Sequence, residues 1–182
     1  MADVVIFSAD SKLSNQIARV VVQYTKEVLG LEAIGCYTAI KHGDPFLGMM
    51  FRVVSDFSAD INLRGQEADL RVYDNSPLAY LARGRHLLDL YQTIGNDEPG
   101  IALAHELIVL ERVIPDWLAA QNASMVYFYP SAVSLGVSDT QLACFEAVAK
   151  EFNVTILPSD IDAATDEVGT FVEDILGMNP GE

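Results

Sequence analysis

Between Phe7 and Asn15 the chain reads FSADSKLSN, directly after the apolar run DVVIF and directly before a helical pattern. A strand, a loop ending in lysine and a helix are the parts of a phosphate-binding loop, in which backbone N–H groups surround the phosphates and the lysine neutralises them. The full pattern, G-x-x-x-x-G-K-[ST], needs its glycines for close backbone approach and its hydroxyl for Mg²⁺. Aligned on Lys12, the two glycine positions hold Ile6 and Ser11 and the hydroxyl position holds Leu13, so only the lysine matches. Asp10 adds a negative charge where a triphosphate would sit. On residue types alone, the stretch reads as a turn followed by a surface lysine on the first turn of a helix.

Other groups with chemical potential are more dispersed. Asp74, in RVYDNSP, ends a predicted strand, and Asp-Asn-Ser-Pro is also a good turn and helix start. His42, His86 and His105 have Asp44, Asp89 and Glu106 nearby, but no H-x-x-x-H or H-E-x-x-H spacing marks a metal site, so they read as surface or capping histidines. No G-x-S-x-G elbow is present. Arg83 to His86, RGRH, is the one concentrated basic stretch; with Arg71 it could meet an acidic partner or a phosphate, or form a solvated face. Cys36 and Cys144 fall in apolar segments without metal or disulfide spacing and read as buried free thiols.

The elements around these residues alternate in period. DVVIF reads as a buried strand, and Leu13, Ile17, Val20, Val21, Tyr24 and Val28 then recur at helical spacing until Gly30. LEAIGCY is a second strand, after which Asp44-Pro45 caps a helix through Val53; DLRVYD is a third, and Ser76-Pro77 opens another helix. Between Leu78 and Ala120, Gly84, Gly95, Pro99 and Pro115 break the helical pattern into several helices, with LIVLERV open to a strand reading. SMVYFYP is a strand, Ser138 and Gln141 form a capping box for a helix to about Phe152, VTILP is the last strand and Thr165 to Leu176 the last helix. Strands alternating with helices imply an α/β fold, a doubly wound, mainly parallel sheet with helices on both faces, in one domain over residues 1–177 followed by a loose tail at 178–182.

Composition sets the outer limits. The chain has 182 residues, 51% of them apolar, and a net charge of −15. From Val113 onward 11 acidic residues stand against Lys150 alone. Such a surface repels phosphate backbones, so no direct DNA binding is expected. No apolar run is long enough for a membrane helix, and no leader pattern opens the chain, which places it in the cytoplasm as an expectation.

The order of parts resembles the ParA/MinD-type P-loop NTPases, and especially their small plasmid-stability and conjugal-transfer accessory members. Where that family reads K-G-G-x-G-K-T-T, this chain reads Phe7-Ser8-Ala9-Asp10-Ser11-Lys12-Leu13-Ser14; RVYDNSP matches the family's strand ending in Asp; MVYFYPSAVSLGVSD matches a strand, polar loop and helix that flank the base. The resemblance implies a nucleotide site made of Ser8, Ala9, Asp10, Ser11, Lys12, Leu13 and Ser14, taking ATP with Mg²⁺. In it Lys12 would contact phosphates, Ser14 would replace the lost hydroxyl, and Asp74 would hold Mg²⁺ through water or position the attacking water. Phe7 stands where the family's lysine reaches across a dimer. Loss of that lysine, the glycines and the hydroxyl implies weak or no hydrolysis, since phosphoryl transfer depends on placed charge and donors. The implied role is then plasmid maintenance, partition or conjugal transfer through a protein partner or a homodimer. A divergent but active NTPase is the second reading, and a flavodoxin-like or other doubly wound small-molecule-binding domain the third. The resemblance also implies that DVVIF and RVYDN are adjacent parallel strands in the middle of the sheet.

The charge balance gives a direct test: the isolated protein is expected not to shift duplex DNA in a gel at physiological salt, and sequence-independent binding below about 1 μM would contradict it.

Overall fold

The structure is a computed structural model that describes residues 1–37, 65–74, 76–95, 97–121, 124–129, 137–158 and 169–178. In chain order the elements are β1 (Ala2–Ser8), α1 (Ser11–Glu27), β2 (Ala33–Cys36), β3 (Leu70–Tyr73), α2 (Pro77–Ile94), α3 (Asp97–Gln121), β4 (Ser124–Tyr129), α4 (Asp139–Glu151) and β5 (Thr155–Pro158). A last helix, α5, covers residues 169–175. The helix expected after Asp44, and residues 165–168 of the last predicted helix, lie outside the described residues.

All five strands run parallel, in the order β2-β3-β1-β4-β5. DVVIF and RVYDN are adjacent and interior, as expected. The order differs from the 2-1-3-4-5 of flavodoxin-like sheets, in which β1 rather than β3 lies beside β2. Successive side chains of a strand point to opposite faces, so β1 feeds two cores. Val4 and Ile6, with Leu70 and Val72 of β3, pack under Leu13, Ile17, Ala18 and Val21 of α1 and Val172 of α5. On the other face Phe7 joins Leu78 and Leu81 of α2, Leu103 and Ile114 of α3, and Phe145 of α4, while Val5 and Tyr73 meet Trp117 of α3. Helices therefore cover both faces, an arrangement compatible with a doubly wound α/β fold.

Local chemistry sets the helix ends. Ser76 caps α2, its hydroxyl accepting from the Leu78 N–H at 3.0 Å; Pro77 fills the first turn, and Gly95 ends the helix at φ +69°, the left-handed conformation that glycine adopts without a Cβ penalty. Ser138 caps α4 through the Gln141 N–H at 3.2 Å. The breaks expected at Gly84 and Pro115 do not occur. Gly84 lies within α2 and Pro115 within α3, which spans LIVLERV as helix. Tertiary burial of Leu103, Leu107, Leu110 and Ile114 along one side of α3 outweighs the hydrogen bond that Pro115 removes. The thiols are also less enclosed than expected: Cys36 and Cys144 form no disulfide and are half-buried, and burial pushes the Cys144 thiol up, which disfavours a reactive thiolate.

The expected basic patch is divided among structural pairs. Arg71 sits opposite Asp3 in the β1–β3 register and clasps its carboxylate through Nε at 2.6 Å and Nη2 at 3.0 Å, with Arg71 buried and the Asp3 side chain largely so. Arg85 joins three helices, donating to Glu111 of α3 at 2.9 Å and Glu151 of α4 at 2.5 Å. That bond to Arg85 holds the Glu151 carboxyl below its ordinary value.

Removing one partner of a buried ion pair strands the other's charge. Arg71→Ala is therefore expected to lower stability by about 3–5 kcal/mol in urea denaturation, while the apolar double replacement Asp3→Val with Arg71→Met recovers most of that loss. Equal losses in the single and double variants would show that the pair is not what matters there.

Candidate functional site

Because all five strands are parallel, their carboxyl ends share one edge of the sheet, where open α/β folds place ligands. The strand order reverses between β1 and β4. On the β1 side of that switch point the chain passes from strand to helix through Ala9 and Asp10 alone. Gln141, in the first turn of α4, reaches across and donates from Nε2 to the Ala9 carbonyl at 3.3 Å. The amide thus completes something other than the expected capping box, tying α4 to the loop after β1.

The loop is closed by its own side chains. The Asp10 carboxylate accepts from the Lys12 N–H at 2.9 Å and from the Leu13 N–H at 3.4 Å, and the Ser8 hydroxyl accepts from the Asp10 N–H at 3.3 Å. Asp10 is in extended backbone and is the N-cap of α1. The first free N–H groups of a helix are its anion-binding groups, and here an internal carboxylate holds them. Ser8, Ala9, Leu13 and Ser14 are buried, whereas Lys12 is exposed. The candidate residues therefore lie together as a two-residue turn and a first helical turn. As folded they do not fit a triphosphate: the Lys12 and Leu13 N–H groups are taken, and the group that takes them has the ligand's own sign of charge.

No protein-family model matches the chain, and no curated protein is significantly similar to it.

Asp74 lies where the pattern put it, beyond the end of β3, and is 6% exposed. Its backbone N–H donates to the Cys36 carbonyl at 3.3 Å, continuing the pairing with β2 past the strand end. Its carboxylate accepts from Asn15 Nδ2, in the second turn of α1, at 2.5 Å. The other end of that amide is also engaged: Asn15 Oδ1 accepts from Arg19 Nε at 2.8 Å, and the Arg19 guanidinium lies 4.2 Å from the centre of the Tyr37 ring. Burial raises the Tyr37 hydroxyl above its ordinary value, Arg19 opposing the shift and Asp74 adding to it, so the phenol stays protonated at neutral pH. Among the described residues no three or more histidine, cysteine and carboxylate side chains gather as metal ligands.

Arg19 and Tyr37 did not figure among the residues singled out by motif, Asn15 only closed the quoted stretch, and Gln141 figured only as a capping-box partner of Ser138. Asn15 and Arg19 are four apart on α1 and so share a face, a signal the sequence did carry. Tyr37 and Gln141 join the site only through the fold.

The cap separates charge from stability. Asp10→Ala should lower stability by about 1 kcal/mol through loss of two N–H partners, whereas Asp10→Asn, an equally good N-cap, should stay within about 0.5 kcal/mol of wild type in urea denaturation. If Asn proved as costly as Ala, the carboxylate would be required for another reason.

Proposed function

We propose that the chain is a degenerate ParA/MinD-like protein, with a P-loop NTPase-like sheet, that works through protein contacts and hydrolyses nucleotide weakly or not at all. The observation that carries this reading is the Asp10 cap, whose carboxylate accepts from the Lys12 and Leu13 N–H groups at the place where that family holds phosphate. The topology supports the family side: β1 and β3 are neighbours, and Asp74 follows β3 beside the turn after β1. Strand, loop, lysine and helix keep their order while the cradle is replaced by an ordinary cap. What remains is a rigid α/β scaffold. The process it serves, plasmid maintenance, partition or conjugal transfer, rests on the resemblance of the motifs.

Phosphoryl transfer needs donors and cations aimed at developing charge. Lys12 is exposed and Asp74 is bonded to Asn15, so neither is aimed at a common point by the hydrogen bonds of the turn. A divergent, active NTPase would have to move Asp10 out of the cap before binding, at the cost of the two bonds it makes.

Calorimetric titration with Mg²⁺-ATP tests the reading. No binding, or binding weaker than about 10 μM, is expected, and Lys12→Ala should change stability by no more than about 0.5 kcal/mol, as exposed substitutions usually do. A dissociation constant below about 10 μM that Lys12→Ala abolishes would establish the divergent NTPase instead.

A further inference from the structure

Arg19 differs from the other arginines whose partners define the fold. Arg71 and Arg85 are neutralised by carboxylates, whereas Arg19 is held by neutral groups: the Asn15 oxygen on Nε and the Tyr37 ring on its face. Each contact is itself fixed from behind. The Asp74 carboxylate draws the Asn15 amide nitrogen to itself, which turns the amide oxygen toward Arg19. The Tyr37 ring lies across Gly35, two residues back on the edge strand β2, where a Cβ would overlap the ring. Gly35 does not have a positive φ, so the missing side chain supplies space rather than backbone freedom. The outcome is a guanidinium fixed in plane and direction and exposed on α1, with Asp74 reaching it only through the Asn15 amide and its terminal Nη groups bonded to none of the described residues.

We propose that Arg19, Asn15 and Tyr37 form a binding site for an oxyanion, the carboxylate or phosphate group of a small molecule, at the carboxyl edge of β2 and β3. A planar, weakly hydrated guanidinium whose orientation is already set gives a carboxylate or phosphate two parallel N–H donors with little further loss of side-chain freedom. The Tyr37 phenol, protonated at neutral pH, remains a hydrogen-bond donor beside it. The site lies on α1 beyond the Asp10 cap and makes no use of the N–H groups that the cap holds. It is therefore independent of the nucleotide question and extends the proposed role with a small-molecule contact.

Two-dimensional ¹H–¹⁵N spectra of the whole chain, titrated with inorganic phosphate and separately with sodium acetate at constant ionic strength, test the site. Saturable shifts of the Arg19 Nε–H and Asn15 side-chain amide are expected, with a dissociation constant on the order of 1 mM for the preferred anion. The comparison of the two anions identifies phosphate or carboxylate as the better ligand. Arg19→Gln should abolish saturation while leaving the dispersion of the spectrum intact, and Arg19→Lys should weaken it about tenfold, because the charge stays and the fork is lost. Lys12→Ala should leave the titration unchanged. Shifts linear in concentration for both anions, or saturation that survives Arg19→Gln, would overturn the proposal. Saturation that Lys12→Ala removes would overturn it too, and would bring down the non-nucleotide reading of the loop at the same time.

Discussion

Strand β1 has neighbours on all four sides: β3 and β4 take its hydrogen bonds along both edges, and helices from both layers take its side chains above and below. Each buried Val, Ile or Phe removed from water contributes about 1.5–3 kcal/mol, and β1 places four in succession. Because the strand has no solvated face, its sequence cannot alternate, and because it cannot slip without exchanging its two cores, its register fixes those of β3 and β4. The Asp3–Arg71 pair is one consequence. It sits at the start of the ladder, where only one register puts the two charges opposite each other.

The same register delivers the chain to the carboxyl edge in a set position, and everything of functional interest there depends on how the next few residues turn. Asp10 caps α1 as soon as β1 ends, which fixes the helix phase. Helix phase then places Leu13, Ile17 and Val21 on the sheet and Asn15 and Arg19 on the edge above β3 and β2. A cap and a phosphate cradle are alternative solutions to the same problem, the unsatisfied N–H groups of a first turn. This chain has the cap, and its polar side chains are gathered instead one turn further along.

Much of the α/β arrangement was legible because its causes are local. Apolar runs such as DVVIF are too short and too continuous for anything but buried strands, and Ser76-Pro77, Gly95 and Ser138 mark helix ends by capping chemistry that needs no tertiary information. Pro115 and Gly84 misled for the complementary reason: their effect is set by burial around them, which propensity does not contain. Arg71 read as part of a surface patch because its partner, Asp3, is on another strand. For the candidate site, Lys12 and Asp74 stood out as types in a pattern, yet the bonds of the site run from Asp74 to Asn15 and from Asn15 to Arg19. Residue types advertise chemistry; which of them meet depends on helix phase and strand order, and Tyr37 meets Arg19 only because β2 lies beside β3.

The central position of β1 also has a cost in time. Val4 pairs with Ser124 of β4, so once made the strand waits for about 120 further residues before its second edge is covered. During that interval an uncharged apolar segment, VVIF, presents an open row of amides and carbonyls, the kind of surface that recruits strands from other chains. Asp3 before it and Asp10 soon after it bracket the segment with negative charge. The residues that clasp Arg71 and cap a helix in the finished molecule are thus also the flanking charges that, as a rule, disfavour strand pairing between chains.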